Sequence, residues 1–277
     1  MTSSESQPDR YALVGHPVGH SRSPLIHQLF ARQTGQNLTY ELIDAAPPSF
    51  ETAVRGFGAA GGKGLNITVP HKEAAFKLSN ETSQAAQAAG AVNTISFVDG
   101  RMRGDNTDGI GFIRDIRVNQ RQPIEGKRVL VLGAGGAARG IVAPLIESRP
   151  GELVIANRTI ERARVLARHF AGAGEVHAMT FAQLATLEAF DIVVNATSAG
   201  LKGETPPFPS SLIGQDTFCY DLVYSVNATP FVTWARGHGA VRAVQGWGML
   251  VEQAAESFYI WRGVRPDTTP ILKQLVA

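Results

Sequence analysis

The sequence predicts an α/β protein with two domains, one of them a doubly wound nucleotide-binding domain. Three observations lead to this prediction. The chain has 277 residues, which suits two domains of about 100–200 residues each. Short apolar runs alternate with helix-forming runs, a pattern typical of a mostly parallel sheet covered by helices. One apolar run, at residues 129–132, is followed at once by a glycine-rich turn and a helix start, as in dinucleotide-binding domains.

Residues 11–104 predict the strands and helices of the first domain. The apolar run at residues 11–14 ends at Gly15 and Pro17, so it predicts a strand. A helix follows with Ser23 as its N-cap and Pro24 at its first position. The other predicted elements of this part are strands at residues 38–42 and 64–70, helices at residues 50–57 and from residue 70, and a hairpin at residues 91–104 that turns at Asp99-Gly100.

The second half of the chain shows the same alternation more sharply. A helix at residues 106–118, with Ile110, Ile113 and Ile116 on one side, is predicted to connect the domains. Apolar runs then predict the strands of the doubly wound domain at residues 129–132, 152–157, 191–200, 217–224 and 240–244. An amphipathic helix is predicted at residues 246–261, and a shorter one after Pro270.

Composition and charge argue against several classes of protein. The 26 basic residues barely exceed the 24 acidic ones and form no long runs, so no nucleic-acid surface is predicted. No membrane span is predicted, because no stretch of about 18 apolar residues occurs. Residues 1–10 lack the layout of a secretion signal, so the cytoplasm is the expected compartment. With Cys219 as the only cysteine, and no histidine–carboxylate cluster at ligand spacing, no disulfide and no metal are predicted.

The glycine-rich turn has the dinucleotide-binding pattern. Its first glycine allows a tight turn, its second lets the backbone approach a pyrophosphate, and the small Ala138 lets the helix pack on the sheet. The helix N-terminus supplies N–H groups and partial positive charge to the anion. The alternative is a plain turn, which the flanking strand and helix disfavour. The predicted cofactor-binding residues here are Gly133, Ala134, Gly135, Gly136 and Ala137.

The end of the second strand of this domain indicates which dinucleotide binds. An acidic residue there would bind the ribose 2′-hydroxyl of NAD, but this chain has Asn157-Arg158-Thr159, with Arg162 one helical turn later. Two arginines at this spacing can hold a 2′-phosphate, which an acid would repel. Surface arginines at a helix start are common, but the missing acid favours NADP(H) over NAD(H).

Two charged residues are candidates for proton transfer. Lys72 lies in the first turn of a predicted helix, where the helix dipole disfavours a cation, and a residue that breaks a local rule is a functional candidate. The alternative for Lys72 is an ordinary surface lysine. Asp108 lies at the start of the connecting helix, where its alternative role is capping. Residues 105–108 are all polar, which is more polarity than one cap requires.

Further polar side chains are candidates for binding a hydroxylated, anionic ligand. Asn66, Thr68 and Asn93 lie in or beside apolar strands, where each is either a satisfied buried group or a ligand contact. Ser21 and Ser23 together, before a helix, can hold a carboxylate. Gln253 interrupts an apolar stripe of the predicted helix at residues 246–261. Its side chain either hydrogen-bonds to the backbone or contacts a ligand, and the pattern favours neither. His71 is expected on the surface.

In combination these motifs resemble the shikimate dehydrogenase family over essentially the whole chain. The matching segments, in this order, are SRSP (21–24), LNITVPHK (65–72), AGAVNT (89–94), GDNTDG (104–109), GAGGAARG (133–140), NRTIER (157–162), NATSAG (195–200) and GMLVEQA (248–254). The resemblance implies reversible, NADPH-dependent reduction of 3-dehydroshikimate to shikimate on the route to chorismate and aromatic amino acids. It implies a substrate domain at residues 1–108 completed by residues 246–277, an NADP-binding Rossmann domain at residues 109–245, and a cleft between them.

The resemblance also implies residue roles. Lys72 and Asp108 match the catalytic pair, and Ser21 and Ser23 the pair that binds the substrate carboxylate. The positions that match groups around the ring hydroxyls are Asn66, Thr68, Asn93 and Gln253. The positions that match the cofactor site are those of the glycine turn, Asn157, Arg158, Thr159, Arg162, Leu222 and Gly246. Two departures from the family pattern are Gln245 for aspartate and Leu222 for methionine, the second being a swap of similar volume.

Two alternatives remain open at this stage. One is a quinate/shikimate dehydrogenase with relaxed substrate or cofactor choice, which the arginine pair disfavours. The other is a non-catalytic NADP-binding regulator, which would need neither Lys72 nor Asp108. The expected partner is a small-molecule substrate, with the chain a monomer or a homodimer.

Overall fold

The computed structural model describes residues 7–197, 199 and 208–276. By internal contacts the chain divides into two compact units. Unit 1 comprises the described residues up to Thr107 together with Val251–Leu275, and unit 2 comprises Asp108–Leu250. Ser198 and Gly200 of the NATSAG segment lie outside the described residues.

Unit 1 is built on a six-stranded mixed sheet. Its strands are β1 (Asp9–Gly15), β2 (Leu38–Asp44), β3 (Gly64–Ile67), β4 (Glu81–Thr82), β5 (Thr94–Val98) and β6 (Arg101–Asp105), in the order β2-β1-β3-β5-β6-β4. β1 pairs in parallel with β2 and β3, and β4 with β6, whereas β5 runs antiparallel to β3 and β6. The antiparallel pair β5–β6 is the predicted hairpin, and it turns at Asp99 and Gly100, which both have positive φ.

Four helices of unit 1 precede β5 in the sequence. They are α1 (Ser23–Thr34), α2 (Phe50–Ala59), α3 (Lys72–Leu78) and α4 (Gln84–Ala89). The predicted N-cap of α1 is wrong, because Ser23 is already helical and Arg22 precedes it without a side-chain cap. Ser21 Oγ accepts the Ser23 N–H instead, at 3.2 Å. The predicted start of α3 at residue 70 is also wrong, because residues 68–71 form a hydrogen-bonded turn, in which the His71 N–H donates to the Thr68 carbonyl.

Unit 2 contains a six-stranded, all-parallel sheet. Its strands are β7 (Arg128–Leu132), β8 (Glu152–Ala156), β9 (His177–Met179), β10 (Ile192–Asn195), β11 (Phe218–Asp221) and β12 (Arg242–Gln245). The order is β12-β11-β10-β7-β8-β9, and every pair is parallel. This is the strand order of a doubly wound dinucleotide-binding fold, and it confirms the predicted fold class.

Helices cover both faces of the unit 2 sheet. They are α5 (Asp108–Arg114), α6 (Gly136–Glu147), α7 (Ile160–His169) and α8 (Pro230–Gly237). Val129 and Val131 pack in one buried cluster and Leu130 and Leu132 in another, because successive side chains of a strand point to opposite faces. A parallel strand buried on both sides therefore reads as a continuous apolar run in the sequence.

The connecting helix is shorter than predicted. α5 ends at Arg114, and a π-helical turn follows at Asp115–Asn119. Ile116 is buried but Ile110 is 42% exposed, so the three isoleucines do not form one buried side. Asp115, the first residue of the π-helical turn, is a fully buried carboxylate that accepts a hydrogen bond from the Tyr220 hydroxyl on β11. A helix face that carries a buried polar contact cannot show a simple apolar period.

Two helices complete the described chain. α9 (Trp247–Arg262) contains the division between the units, since Leu250 belongs to unit 2 and Val251 to unit 1, and α10 (Thr269–Val276) follows it. Across the described ranges, no helix has the length and apolar character needed to cross a membrane. The same residues contain no group of three or more histidine, cysteine, aspartate or glutamate side chains arranged to hold a metal ion.

Candidate active site

The two serines before α1 lie together. Ser21 Oγ donates to Ser23 Oγ at 3.1 Å and accepts from the Ser23 N–H. Ser23 is buried at 5% exposure and Ser21 is half-buried. The two hydroxyls therefore form one small polar site at the start of a helix of twelve residues. Its N-terminal N–H groups favour a negatively charged ligand.

Asn66 is held by three other elements of unit 1. Its Nδ2 donates to Ser257 Oγ on α9 at 2.9 Å and to Thr94 Oγ1 on β5 at 3.2 Å. Its Oδ1 accepts from the Tyr40 hydroxyl on β2 at 2.8 Å. The side chain is 5% exposed, so these bonds set its orientation.

Asn93 connects Asn66 to Gln253, since its backbone carbonyl accepts from Asn66 Nδ2 at 3.2 Å. Asn93 Nδ2 donates to Thr107 Oγ1 at 2.9 Å and to Gln253 Oε1 at 3.3 Å, while Asn93 Oδ1 accepts from the Thr107 N–H at 2.8 Å. Gln253, whose role the sequence left open, is therefore hydrogen-bonded within a set of polar side chains. We call Asn66, Asn93, Thr94, Thr107, Gln253 and Ser257 the polar network.

Sequence reasoning missed half of the polar network. Thr94 and Ser257 bond each other at 2.8 Å, and Thr107 lies 3.2 Å from Ser257, but none of the three was predicted to bind a ligand. One local signal existed for Ser257. It lies four residues after Gln253, which places both side chains on one face of α9. No local pattern connects it with Asn66, 191 residues away.

Thr68 follows β3 and is half-buried. Its N–H donates to the Val14 carbonyl at 2.9 Å, which continues the pairing of β1 and β3. A Cβ added at Gly15 would overlap Thr68 Cγ2 and would lie 2.8 Å from Val18 Cγ1. The glycine that marks the end of β1 in the sequence therefore also makes space for Thr68.

Lys72 is the first residue of α3, which confirms its predicted place in the first turn of a helix, and it is half-buried. Its carbonyl accepts from the Val92 N–H at 2.9 Å, which ties the start of α3 to the segment that carries Asn93. Asp108 is the first residue of α5, in unit 2, and is 4% exposed. A buried carboxylate at a helix N-terminus is favoured by the helix dipole.

The predicted surface position of His71 is wrong. The residue is buried, its Nε2–H donates to the Ala45 carbonyl at 2.6 Å, and its ring stacks on Phe50 with centroids 4.4 Å apart. This side chain anchors the residue before Lys72. The sequence concealed it because the Phe50 and Ala45 contacts come from other elements.

The two glycines Gly133 and Gly135 of the turn in unit 2 have different structural roles. Gly133 has φ 110°, and a Cβ there would lie 2.9 Å from the carbonyl of Ala196, so only glycine fits. Its N–H donates to the Ala156 carbonyl at 2.7 Å. Gly135 is the N-cap of α6, and a Cβ there would meet no atom within 4 Å. The first glycine is therefore needed for the turn, and the second leaves open space beside the helix N-terminus.

The other residues of the turn divide by burial. Ala134 and Ala138 are buried, and Ala138 packs in the core, as a small residue at this helix–sheet contact should. Gly136 and Ala137 are half-buried in the first turn of α6, where no acidic residue occurs. The N–H groups of this first turn form a site suited to a phosphate.

The segment after β8 places its arginines in solvent. Asn157 Nδ2 donates to the Thr159 carbonyl at 2.9 Å, which shapes the turn into α7. Arg158, Thr159 and Arg162 are exposed. The nearby carboxylate of Glu161 pairs with Arg164 at 2.7 Å, and neither Arg158 nor Arg162 forms an ion pair with any described residue. Both guanidinium groups are available to an anion.

Leu222 and Gly246 lie against each other after β11 and β12. A Cβ at Gly246 would lie 2.5 Å from the Leu222 carbonyl oxygen, so a side chain at this position would displace that loop. The Leu222 N–H donates to the Asn195 carbonyl at 2.9 Å, and the Gly246 N–H to the Val223 carbonyl at 3.1 Å. Gln245, which departs from the family pattern, accepts the Ser225 N–H at 2.7 Å.

Comparison with known proteins gives one consistent result. Three family models match: the shikimate dehydrogenase substrate binding domain at residues 13–95, shikimate / quinate 5-dehydrogenase at residues 117–202, and the shikimate 5′-dehydrogenase C-terminal domain at residues 246–276. A protein of Alkalilimnicola ehrlichii named shikimate dehydrogenase (NADP(+)) is 54% identical over 267 residues, which cover 96% of this chain and 98% of that protein.

Solved structures agree in fold as well as in sequence. An Ael1 enzyme from Pseudomonas putida is 46% identical with a TM-score of 0.88, covering 97% of this chain and 98% of that one. Shikimate 5-dehydrogenase from Thermus thermophilus, solved in complex with NADP(H) and shikimate, is 34% identical with a TM-score of 0.85, covering 96% and 97% of the two chains. Matches of this identity and coverage place the chain in the shikimate dehydrogenase family.

Proposed function

We propose that this chain is an NADP-dependent shikimate dehydrogenase, an oxidoreductase that reversibly reduces 3-dehydroshikimate to shikimate. The observation that carries the proposal is the 54% identity, over 96% of the chain, with a protein named for this activity. Both units are included in that match. The geometry of each unit supports it separately, with hydroxyl and amide groups gathered in unit 1 and a phosphate-binding turn in unit 2.

Unit 1 is the proposed substrate domain. Ser21 and Ser23 bind the substrate carboxylate, since their hydroxyls meet at a helix N-terminus. Asn66, Asn93 and Gln253, held in place by the polar network, bind the ring hydroxyls together with Thr68. Amides and hydroxyls suit this task, because each can both donate to and accept from a ligand hydroxyl.

Unit 2 is the proposed NADP(H) domain. The pyrophosphate binds at the first turn of α6, in the open space beside Gly135. The 2′-phosphate binds Arg158 and Arg162, with Asn157 and Thr159 shaping that turn. The backbone at Leu222 and Gly246 contributes to the nicotinamide side of the site. NADPH supplies the hydride when bound.

Lys72 is the proposed proton donor. In the reducing direction its ammonium group donates a proton to the oxygen of the C3 carbonyl, and in the oxidising direction its amine removes that proton. Asp108 is the proposed carboxylate partner in this proton transfer, and it orients the reacting oxygen. The Val92 N–H, which donates to the Lys72 carbonyl, keeps the lysine backbone in register with Asn93.

A direct assay tests the activity. Purified protein is mixed with shikimate and NADP, and the absorbance of NADPH is followed, with quinate and with NAD in parallel. Shikimate-dependent NADPH formation is expected. Binding of NADPH without any shikimate-dependent turnover would instead favour the non-catalytic regulator.

A quinate/shikimate dehydrogenase is the second candidate, because the family model for residues 117–202 is described for both activities. The quinate arm of the assay decides between the two. Turnover of quinate at a rate comparable to that of shikimate, or with NAD as well as NADP, would support relaxed choice. The cytoplasmic location and the monomeric or homodimeric state stay predictions. Light scattering would measure the oligomeric state.

Ser257 gives a test of the polar network. Ser257→Ala removes the acceptor of the shortest hydrogen bond from Asn66 Nδ2, so we expect stability to fall by about 1–3 kcal/mol and the KM for shikimate to rise by roughly 3- to 10-fold. Urea unfolding and steady-state kinetics measure the two effects.

Ser79→Ala is the matched control, because Ser79 Oγ, like Ser257 Oγ, donates to the carbonyl four residues earlier but lies outside the polar network. It should lower stability without changing the KM for shikimate. An unchanged KM in Ser257→Ala would show that Asn66 does not need this partner to bind substrate.

A further inference from the structure

Asp221 is a buried carboxylate that the proposed mechanism does not use. It is the last residue of β11, is fully buried, and has no ion pair with a described residue. Its burial raises its pKa to about 6, since the hydrogen bonds it accepts offset only part of the desolvation. Burying an unpaired carboxylate is unfavourable, so its presence at the carboxyl end of a central strand needs a reason.

The carboxylate joins three segments of unit 2. Oδ1 accepts from Asn195 Nδ2 at 2.9 Å and from the Val223 N–H at 3.1 Å. Oδ2 accepts from the Thr229 hydroxyl at 2.6 Å. Thr229 is the N-cap of α8 and also accepts the Val232 N–H, so it belongs to the helical framework. Asn195, in contrast, is the last residue of β10 and Val223 is the second residue after β11, so both adjoin or lie in the loops that follow these strands.

The bond to Asn195 reaches the glycine turn. Asn195 Oδ1 accepts from the Thr197 N–H at 3.2 Å and from the Thr197 hydroxyl at 2.8 Å, which shapes the loop after β10. The backbone of Ala196 in this loop is the surface against which Gly133 packs. Asp221 therefore holds one wall of the turn proposed to bind pyrophosphate.

The bond to Val223 reaches the proposed nicotinamide side. It fixes the backbone just after Leu222, and the Val223 carbonyl in turn accepts the Gly246 N–H. Gly246 packs against the Leu222 carbonyl. One carboxylate oxygen thus orders both loops at the edge of the sheet where doubly wound domains bind their ligand.

We propose that Asp221 is a positioning residue for NADP(H), acting through the two hydrogen bonds that its Oδ1 accepts from the loops after β10 and β11. The proposal rests on the proposed cofactor site, and it deepens that site by naming what orders it. The bond from Thr229 to Oδ2 anchors the carboxylate to the N-cap of α8, at the far end of the loop after β11. The two oxygens of one side chain therefore have separable roles.

Three variants separate these roles. Asp221→Ala removes all three acceptor contacts and should raise the Kd for NADPH by about 10-fold or more. Asp221→Asn keeps an oxygen for Asn195 and Val223 and should restore the Kd to within about 3-fold of the original value. Thr229→Val removes the bond to Oδ2 and the N-cap bond from Val232, but neither bond to Oδ1, so it should lower the melting temperature and leave the Kd for NADPH unchanged.

The measurements are NADPH binding by nicotinamide fluorescence, the KM values for NADP and shikimate, and thermal melting. They are made above pH 7, where Asp221 is ionised. The KM for NADP should rise with the Kd in Asp221→Ala, while the KM for shikimate stays constant. Should that variant fail to fold, Asn195→Ala replaces it, because it breaks the connection to Thr197 and keeps the carboxylate.

The outcomes are distinct. Weakened NADPH binding in Asp221→Ala or Asn195→Ala, rescue by Asp221→Asn and normal binding in Thr229→Val support the proposal. Equal NADPH binding by all folded variants, or equal weakening in Thr229→Val, overturns it. A protein that binds NADPH in this pattern yet does not oxidise shikimate would refute the proposed function and leave the role of Asp221 standing.

Discussion

Replacing Lys72 by alanine is expected to lower kcat by about 10²- to 10⁴-fold, the usual contribution of a positioned general acid or base. The physical reason is that the variant lacks the proposed proton donor to the carbonyl oxygen. The Kd for NADPH should stay unchanged, since Lys72 belongs to unit 1 and the proposed cofactor residues to unit 2. Steady-state kinetics and NADPH fluorescence measure the two quantities.

Lys77→Ala is the matched control for this experiment. Lys77 lies on the same helix, α3, but in its last turn and exposed to solvent. Its loss should leave kcat within about 2-fold, because a solvated lysine makes little energetic contribution. Near-normal kcat in Lys72→Ala, with both variants folded, would remove Lys72 from the mechanism and turn attention to another donor.

Replacing Arg158 and Arg162 together by alanine is expected to reverse the preference for NADP. Each arginine–phosphate hydrogen bond is charge-assisted, so loss of the pair should lower kcat/KM with NADP by about 10²-fold or more. The value with NAD should remain the same, because NAD has no 2′-phosphate to lose contact with. Initial rates with each cofactor at saturating shikimate give the ratio.

Arg164→Ala controls for a general loss of positive charge on α7. Arg164 pairs with Glu161 instead of being available to a ligand, so its removal should leave the ratio of NADP to NAD efficiency unchanged. The double variant would argue against a 2′-phosphate site if its efficiency fell equally with both cofactors. A fall of that kind indicates damage to the fold of the turn after β8.

The doubly wound unit could be predicted largely from the sequence because its signals are local. A parallel strand buried on both faces is an unbroken apolar run, as at residues 129–132. The positive φ of Gly133 and the open space at Gly135 are properties of single glycines. The missing acid after β8 is likewise read within a few residues of Arg158.

The substrate side could be predicted only in part. Asn66, Asn93 and Gln253 were identifiable as polar residues in apolar surroundings, but their partners were not. Ser257 meets Asn66 across 191 residues of chain, and His71 is buried by Phe50 and Ala45. Local patterns cannot show such pairs, because the energy of a buried polar group depends on which distant group satisfies it.

The sequence by itself determined the fold class, the glycine turn, the arginine pair and the identity of the candidate proton donor. Each of these depends on side-chain type, on period or on backbone conformation within one or two turns of chain. Only the tertiary structure decided that six side chains form one polar network, and that Asp221 joins the loops after β10 and β11. These arrangements arise when strands distant in sequence become neighbours in a sheet, since that step brings their ends, and the polar groups on them, within hydrogen-bonding distance.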